Sequence, residues 1–388
     1  MSVVPKLLKI GIPAITGAAV IGTLGVLLYQ SSREVRDLKS QISERELPIE
    51  EESSKVEFAP IDVNHYYERL GQKIYLSDDT FGQIWLPVLS EVPLSQHPLE
   101  NMVQQPDGRM ASFADEKTLN AMTGIDISTH NIVSDWNRVK EDGIDFVMLR
   151  VGYRGYGVDT GTIKADDKFK QYYRDAKAAG LKVGAYFFSQ AITEEEAVEE
   201  AVFTAEQLKG CELDFPVVYD WELIFHDNEA RTDNVPVETL TDATLAFCEN
   251  IKAFGYQPMI YQNKRTTLFK LDLPRIQGIP FWLAEYGDGP TYIYDYDMWQ
   301  YSCTGTVDGI SGDVDMNLCF YDYSQEDAPA VSLPVPKGVI TPEEAKTTEP
   351  AESTDTTAEG ETDSETTETT ASPESDADNG DGGEDETE

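Results

Sequence analysis

Beyond residue 121 the chain alternates short apolar runs with stretches of helical periodicity. Runs at 122–127, 145–151, 182–188, 215–219, 258–261, 280–284, 298–301 and 314–316 have the length and the apolar, β-branched and aromatic content of strands. Between the earlier ones, 134–141, 166–179, 193–208 and 237–254 repeat apolar residues at helical spacing. Ser134 and Thr193 stand where a helix start needs a capping oxygen, and Gly180 and Gly255 where helices end. Repeated strand-helix units with eight strands predict an α/β fold, an irregular TIM-like β/α barrel. The last three strands follow one another too closely for full helices between them, so the regularity is expected to fail in the last third.

The flanks differ in character. Lys6 and Lys9 precede an uncharged run, 10–29, of the length a helix needs to cross the hydrocarbon core. It leads into Gln30-Ser31-Ser32-Arg33 rather than a small-x-small cleavage site, which favours a retained transmembrane anchor over a cleaved signal peptide. Residues 1–9 are then a short cytoplasmic N-terminus. Segment 30–57 reads as a juxtamembrane helix and linker, its apolar stripe set by Val35, Leu38 and Ile42. The region 58–120 reads as small and partly β, with Lys73 to Leu76 and Gln83 to Pro87 forming a hairpin. Residues 122–323 make up the barrel, and 324–388 a disordered Ser/Thr/Glu-rich tail.

Charge sharpens this division. The formal net charge is −41, and the stretch from Gln325 to Glu388 holds 20 acids against 2 lysines, a composition that cannot collapse onto a core. A nucleic-acid partner is disfavoured, because phosphate binding needs Lys and Arg clusters. The four histidines are scattered and Cys211, Cys248, Cys303 and Cys319 fit no zinc spacing, so no metal and no cofactor is expected. Cys303 and Cys319 are the pair that could form a disulfide, the alternative being buried free thiols.

The candidate chemistry lies where strands end. Phe215-Pro216-Val217-Val218-Tyr219-Asp220-Trp221-Glu222 opens as a buried strand and ends on two acids two positions apart, which share a face because strand side chains alternate. Two like charges on one face raise a pKa, as glycoside hydrolysis requires; the plainer reading is a solvated strand end. In a β/α barrel the strand ends converge on one mouth, bringing Asp126, Asp220, Glu222, Glu285 and Asp315 together. Tyr186, Trp221, Tyr261, Trp282, Tyr286, Trp299 and Tyr301 accompany them, and such aromatics either stack on sugar faces or fill the core.

Five segments then resemble glycoside hydrolase family 25, the N-acetylmuramidase lysozymes. They are Thr123-Gly124-Ile125-Asp126-Ile127-Ser128, Tyr219-Asp220-Trp221-Glu222, Trp282-Leu283-Ala284-Glu285-Tyr286, Met298-Trp299-Gln300-Tyr301-Ser302 and Gly312-Asp313-Val314-Asp315-Met316-Asn317. The resemblance implies cleavage of the β-1,4 bond between N-acetylmuramic acid and N-acetylglucosamine, with peptidoglycan glycan strands as the partner. It implies that Glu222 is the general acid, Asp220 its partner, and Asp126 and Asp315 supporting acids. Retention through the substrate's own 2-acetamido group suits an Asp-x-Glu pair. Tyr186, Trp221, Tyr261, Trp282, Glu285, Tyr286 and Gln300 are the substrate-binding candidates; Asp313 is expected to face away from the site. A lysozyme anchored at 10–29 would be a single-pass membrane protein with its barrel outside, facing the wall. The alternatives are an inactive anchored wall-binding module and a hydrolase of another N-acetylated glycan.

Overall fold

The computed structural model describes residues 73–78, 82–156, 161–224 and 230–348, which divide after Leu86 into two units. In the first, β1 (Lys73–Asp78) and β2 (Gly82–Pro87) form a two-stranded sheet. Tyr75 and Trp85 meet across it with ring centroids 5.0 Å apart, the kind of cross-strand aromatic pair that stabilises a hairpin. The expected anchor at 10–29 and the segment 30–57 lie outside the described residues. Among the described residues no helix is long and apolar enough to cross a membrane.

In the second unit the chain first forms β3 (Met102–Gln104), β4 (Met110–Asp115) and β5 (Thr118–Leu119). Then come β6 (Met122–Ile127), β7 (Ile132–Val133), α1 (Trp136–Glu141), β8 (Phe146–Arg154), β9 (Ile163–Ala165), α2 (Phe169–Ala178) and β10 (Lys182–Ser189). These are followed by α3 (Glu194–Leu208), β11 (Val217–Trp221), α4 (Val237–Ala253), β12 (Pro258–Asn263), α5 (Lys264–Lys270) and β13 (Phe281–Ala284). Last are β14 (Met298–Gly305), β15 (Ile310–Ser311), β16 (Val314–Cys319), β17 (Leu333–Pro334) and α6 (Pro342–Thr348). All eight expected strands and all four expected helices form, with boundaries shifted by a few residues. Thr193 caps α3 by accepting from Glu196 N (3.3 Å). At α1 the cap is Asp135, not Ser134, whose hydroxyl donates to Gly309 O instead (2.9 Å). Gly180 and Gly255, at φ of +81° and +90°, end α2 and α4 in the left-handed region that disfavours a Cβ.

Strands β6, β8, β10, β11, β12, β13, β14 and β16 close into a barrel, β16 pairing back to β6. Seven of them run parallel, but β16 is antiparallel to both neighbours. The strand-helix pattern does not foresee this reversal, yet its cause is local. The link from Gly305 to Val314 is shorter than the roughly dozen residues a parallel crossover takes, so the chain must return as a hairpin. The first residues of β16, not its last, therefore stand at the mouth formed by the C-terminal ends of the other strands.

Inward side chains fill the lumen from below. Met122, Phe146, Met148, Val218, Met259, Trp282 and Met298 form a continuous buried core, with Phe146 stacked on Phe215 at 4.6 Å. Gly124 makes room for this: a Cβ there would lie 2.1 Å from the Phe146 ring. Helices cover the outside only over the first two thirds. Where they stop, the flanking segments replace them: Leu94 bridges to Tyr294, His97 stacks on Phe320 at 3.8 Å, and β17 pairs with β5. Gln105 joins the two flanks through paired bonds with the Ile340 backbone, 2.9 and 2.6 Å. The compact unit thus takes in 88–120 and 324–348, which the sequence pattern assigned to a separate region and to a disordered tail. Short polar segments carry little periodicity of their own, so their docking is not visible in the pattern. The four cysteines are free; Cys319 is buried opposite Met298 at one end of β14 and Cys303 is exposed toward the other, so they do not pair.

Candidate active site

Every strand in this barrel presents alternate residues to the lumen, and the last inward residues of the seven parallel strands, with the first of the antiparallel β16, reach the mouth. Asp126 is the penultimate residue of β6, and the antiparallel register sets Asp315 directly opposite it. Asp220 is near the end of β11, with Glu222 just beyond. Tyr186 and Phe188 come from β10, Arg150 from β8, Tyr261 from β12 and Gln300 from β14. Together with Trp282, Tyr286, Asp220, Glu222, Asp126 and Asp315 they line one cavity of about 170 Å³.

Gln300 organises one wall. Its Nε2 donates to Asp126 Oδ2 (2.9 Å), while its Oε1 accepts from the Tyr261 and Tyr286 hydroxyls at 2.8 and 3.0 Å. Asn317 repeats the pattern one strand over, donating to Asp126 Oδ2 (2.8 Å) and accepting from Trp282 Nε1 (2.9 Å). Burial raises the Asp126 pKa, and hydrogen bonds from Asn317, Gln300 and Asp315 oppose the rise. Asp315 is pushed up to about 9 by burial and by the charge of Asp126. At neutral pH, then, Asp315 keeps its proton and donates it toward Asp126.

The second pair is Asp220 and Glu222. Burial, then the charge of Glu222 and a hydrogen bond to it, push Asp220 well above the carboxylate range; Arg150 opposes this. Glu222 is raised by burial and by Asp126, and the hydrogen bond with Asp220 pulls against that. The two carboxyls share a hydrogen bond, so they titrate as a unit, and burial raises both above the ordinary carboxylate value. Arg150, the guanidinium in this wall, is itself held by the buried Asp166, Nε to Oδ2 2.9 Å.

Nine of the eleven residues singled out from the sequence line the cavity. Trp221 does not. It alternates with Asp220 and Glu222, so it points out of the barrel, 1% exposed, with its Nε1 bonded to Ala191 O at 2.9 Å. Glu285 does not either. It braces the loop after β13, accepting from Thr291 N (2.8 Å) and Tyr292 N (2.9 Å) and pairing with Lys264 (3.2 Å). Asp313 is exposed and does not line the cavity; it shares the parity of Asp315 but precedes β16, so its position before the strand and not strand alternation keeps it out. Arg150, Phe188 and Asn317 were not singled out. A charge inside the apolar run 145–151 was the available signal for Arg150; Asn317 needed the antiparallel register. Among the described residues no cluster of His, Cys, Asp and Glu is arranged to hold a metal ion.

Comparison with known proteins bears on this constellation. Residues 125–310 match the family model described as "Glycosyl hydrolases family 25", a span that includes Asp126, Asp220, Glu222 and Gln300 and stops just short of Asp315. The chain is 28% identical over 198 residues to the autolytic lysozyme of Clostridium acetobutylicum, covering 50% of this chain and 55% of that one. It is 27% identical over 223 residues to lysozyme M1 of Streptomyces globisporus, covering 55% and 71%. The matched region thus spans about half of the Clostridium relative. Among solved structures it is similar to the modular autolysin LytC from Streptococcus pneumoniae in complex with a synthetic peptidoglycan ligand, with a TM-score of 0.47 and 22% identity over 64% of this chain and 56% of that one.

Proposed function

We propose that this chain, whose residues 125–310 match the model of glycosyl hydrolases family 25, hydrolyses peptidoglycan at the β-1,4 bond between N-acetylmuramic acid and N-acetylglucosamine. The observation that carries the mechanism is the hydrogen bond between Asp220 and Glu222. Carboxyls that flank a sugar ring in the usual glycosidase schemes stand roughly 5–5.5 Å or 6.5–9.5 Å apart. Two in hydrogen-bond contact leave no room for a ring between them, so they act from the same side. Glu222 gives its proton to the leaving glycosidic oxygen as the bond to the anomeric carbon breaks. The substrate's own 2-acetamido oxygen forms the new bond to that carbon, and Asp220, once the shared proton has gone to the leaving group, stabilises the positive charge on the acetamido nitrogen. Water then opens the cyclic intermediate, Glu222 taking its proton back, and configuration is retained. Asp126, fixed by three donors, and the protonated Asp315 supply the opposite wall, where hydroxyl and amide groups of the glycan find partners.

The uncharged run at 10–29 supports an anchored enzyme with its barrel on the wall side of the membrane, since that is where its substrate lies. The test of activity is product identity. Purified peptidoglycan and chitin oligosaccharides are incubated with the full chain, and new reducing ends are identified by mass spectrometry. N-acetylmuramic acid ends from peptidoglycan, with chitin untouched, are the expected result. Cleavage of chitin alone would reassign the substrate, and wall binding without any new ends would refute a hydrolase.

A further inference from the structure

The carboxyls of a coupled pair act only if the backbone that carries them is fixed, and β11 ends just where Glu222 begins. Its ladder with β12 stops at Asp220 opposite Tyr261, and that with β10 at Trp221 opposite Ser189. Two buried glutamines take over. Gln190, 0% exposed, donates from Nε2 to Glu222 O (2.7 Å) and Ser189 O (3.0 Å), and its Oε1 accepts from the Thr232 hydroxyl (3.5 Å). Gln262, 2% exposed, donates from Nε2 to Trp221 O at 2.5 Å, while its Oε1 accepts from Asn263 N at 2.9 Å. One comes from the β10 side and the other from the β12 side, so consecutive carbonyls of the Trp221-Glu222 segment are gripped from both flanks.

We propose that Gln190 and Gln262 are positioning residues, a two-sided amide clamp that holds the backbone of Glu222 so that its carboxyl stays against Asp220 and faces the cavity. The inference rests on reading Glu222 as the general acid. An amide suits the task because it cannot ionise: its N–H groups donate at every pH beside a cluster of acids that titrate. A glutamate of the same size could donate only while protonated, and ionised it would set its charge against the carbonyls of Ser189 and Glu222.

That difference supplies the test. The full chain is prepared as parent, Gln190→Glu, Gln190→Met and Gln262→Met, and kcat and KM on soluble peptidoglycan fragments are followed from acid to neutral pH. Misplacing a reacting group by about an ångström costs up to about 100-fold. Each Met variant should accordingly lose about 10- to 100-fold in kcat with KM nearly unchanged. For Gln190→Glu the ratio of variant to parent kcat should climb as pH falls and the new carboxyl becomes a donor. A ratio that stays flat with pH, or Met variants that keep parental kcat, would overturn the clamp. A second readout is independent of turnover. With carboxyl-13C glutamate, and Glu222→Gln to assign the signal, the Glu222 titration is recorded with and without Asp220→Asn. Replacing Asp220 should shift the Glu222 curve in the parent and shift it much less in a Gln190→Met background. An equal shift in both overturns the clamp whether or not the chain cleaves peptidoglycan. If no peptidoglycan is cleaved yet the shift shrinks, the clamp stands and the hydrolase reading fails.

Discussion

Glu200 is the group whose burial should be felt most clearly in the stability of the barrel. It lies on the inner face of α3, 0% exposed, with Arg154 Nε at 2.7 Å from one oxygen and the Ser189 hydroxyl at 2.5 Å from the other. Burial raises its pKa from 4.5 to about 7, against the pull of Ser189 and Arg154. Between those two values the folded carboxyl holds a proton that the unfolded chain has already lost. The folded state then binds more protons, so stability falls as pH rises through this window and levels off above about 7. At about 1.4 kcal/mol per pKa unit the loss is about 3 kcal/mol. Glu200→Gln keeps the size and polarity of the side chain but cannot titrate. Guanidinium unfolding of parent and variant at pH 5 and pH 8, followed by tryptophan fluorescence, reads the difference directly, because the other titrating groups cancel. The stability gap between parent and variant should shift by about 3 kcal/mol in the parent's disfavour from pH 5 to pH 8. A gap constant to within about 0.5 kcal/mol would refute the reasoning.

Three further outcomes follow from the packing and the carboxyls. Trp221→Ala should lower stability by about 3–5 kcal/mol in denaturant unfolding, because it empties a fully buried site, while KM for soluble fragments stays near that of the parent. Gly124→Ala drives a methyl to 2.1 Å from the Phe146 ring and should cost about 1–3 kcal/mol in the same assay. Since Asp315 holds its proton up to about pH 9, a neutral amide imitates it. Asp315→Asn should lose less than about tenfold in kcat at neutral pH, whereas Asp126→Asn, which removes the charge and turns one acceptor oxygen into a donor facing Gln300, Asn317 and Asp315, should lose on the order of 100-fold or more.

Much of this arrangement was legible in the sequence because it rests on period-two alternation. Asp220 and Glu222 had to share a face, and the same rule turns Trp221 outward to Ala191; its place among the substrate-binding candidates came from proximity in sequence rather than from that rule. Glu285 also ends a strand, yet its neighbours Thr291 and Tyr292 offer backbone N–H groups that bind it into a loop. No local pattern announces such a contact. The direction of β16 was legible only in the shortness of the preceding link, and the position of Asp315 at the mouth depends on it. Gln190 and Gln262 are silent in any pattern of apolar and charged residues, because a buried amide gripping a carbonyl is defined by distance alone.

The most direct measurement of the central claim compares the parent chain with Glu222→Gln on purified peptidoglycan, both shown by thermal unfolding to be folded. An amide at position 222 preserves shape and removes the transferable proton. The account predicts new N-acetylmuramic acid reducing ends from the parent, and a rate at least about 100-fold lower for the variant. Equal rates would contradict it, for the proton would then come from another carboxyl of the cavity.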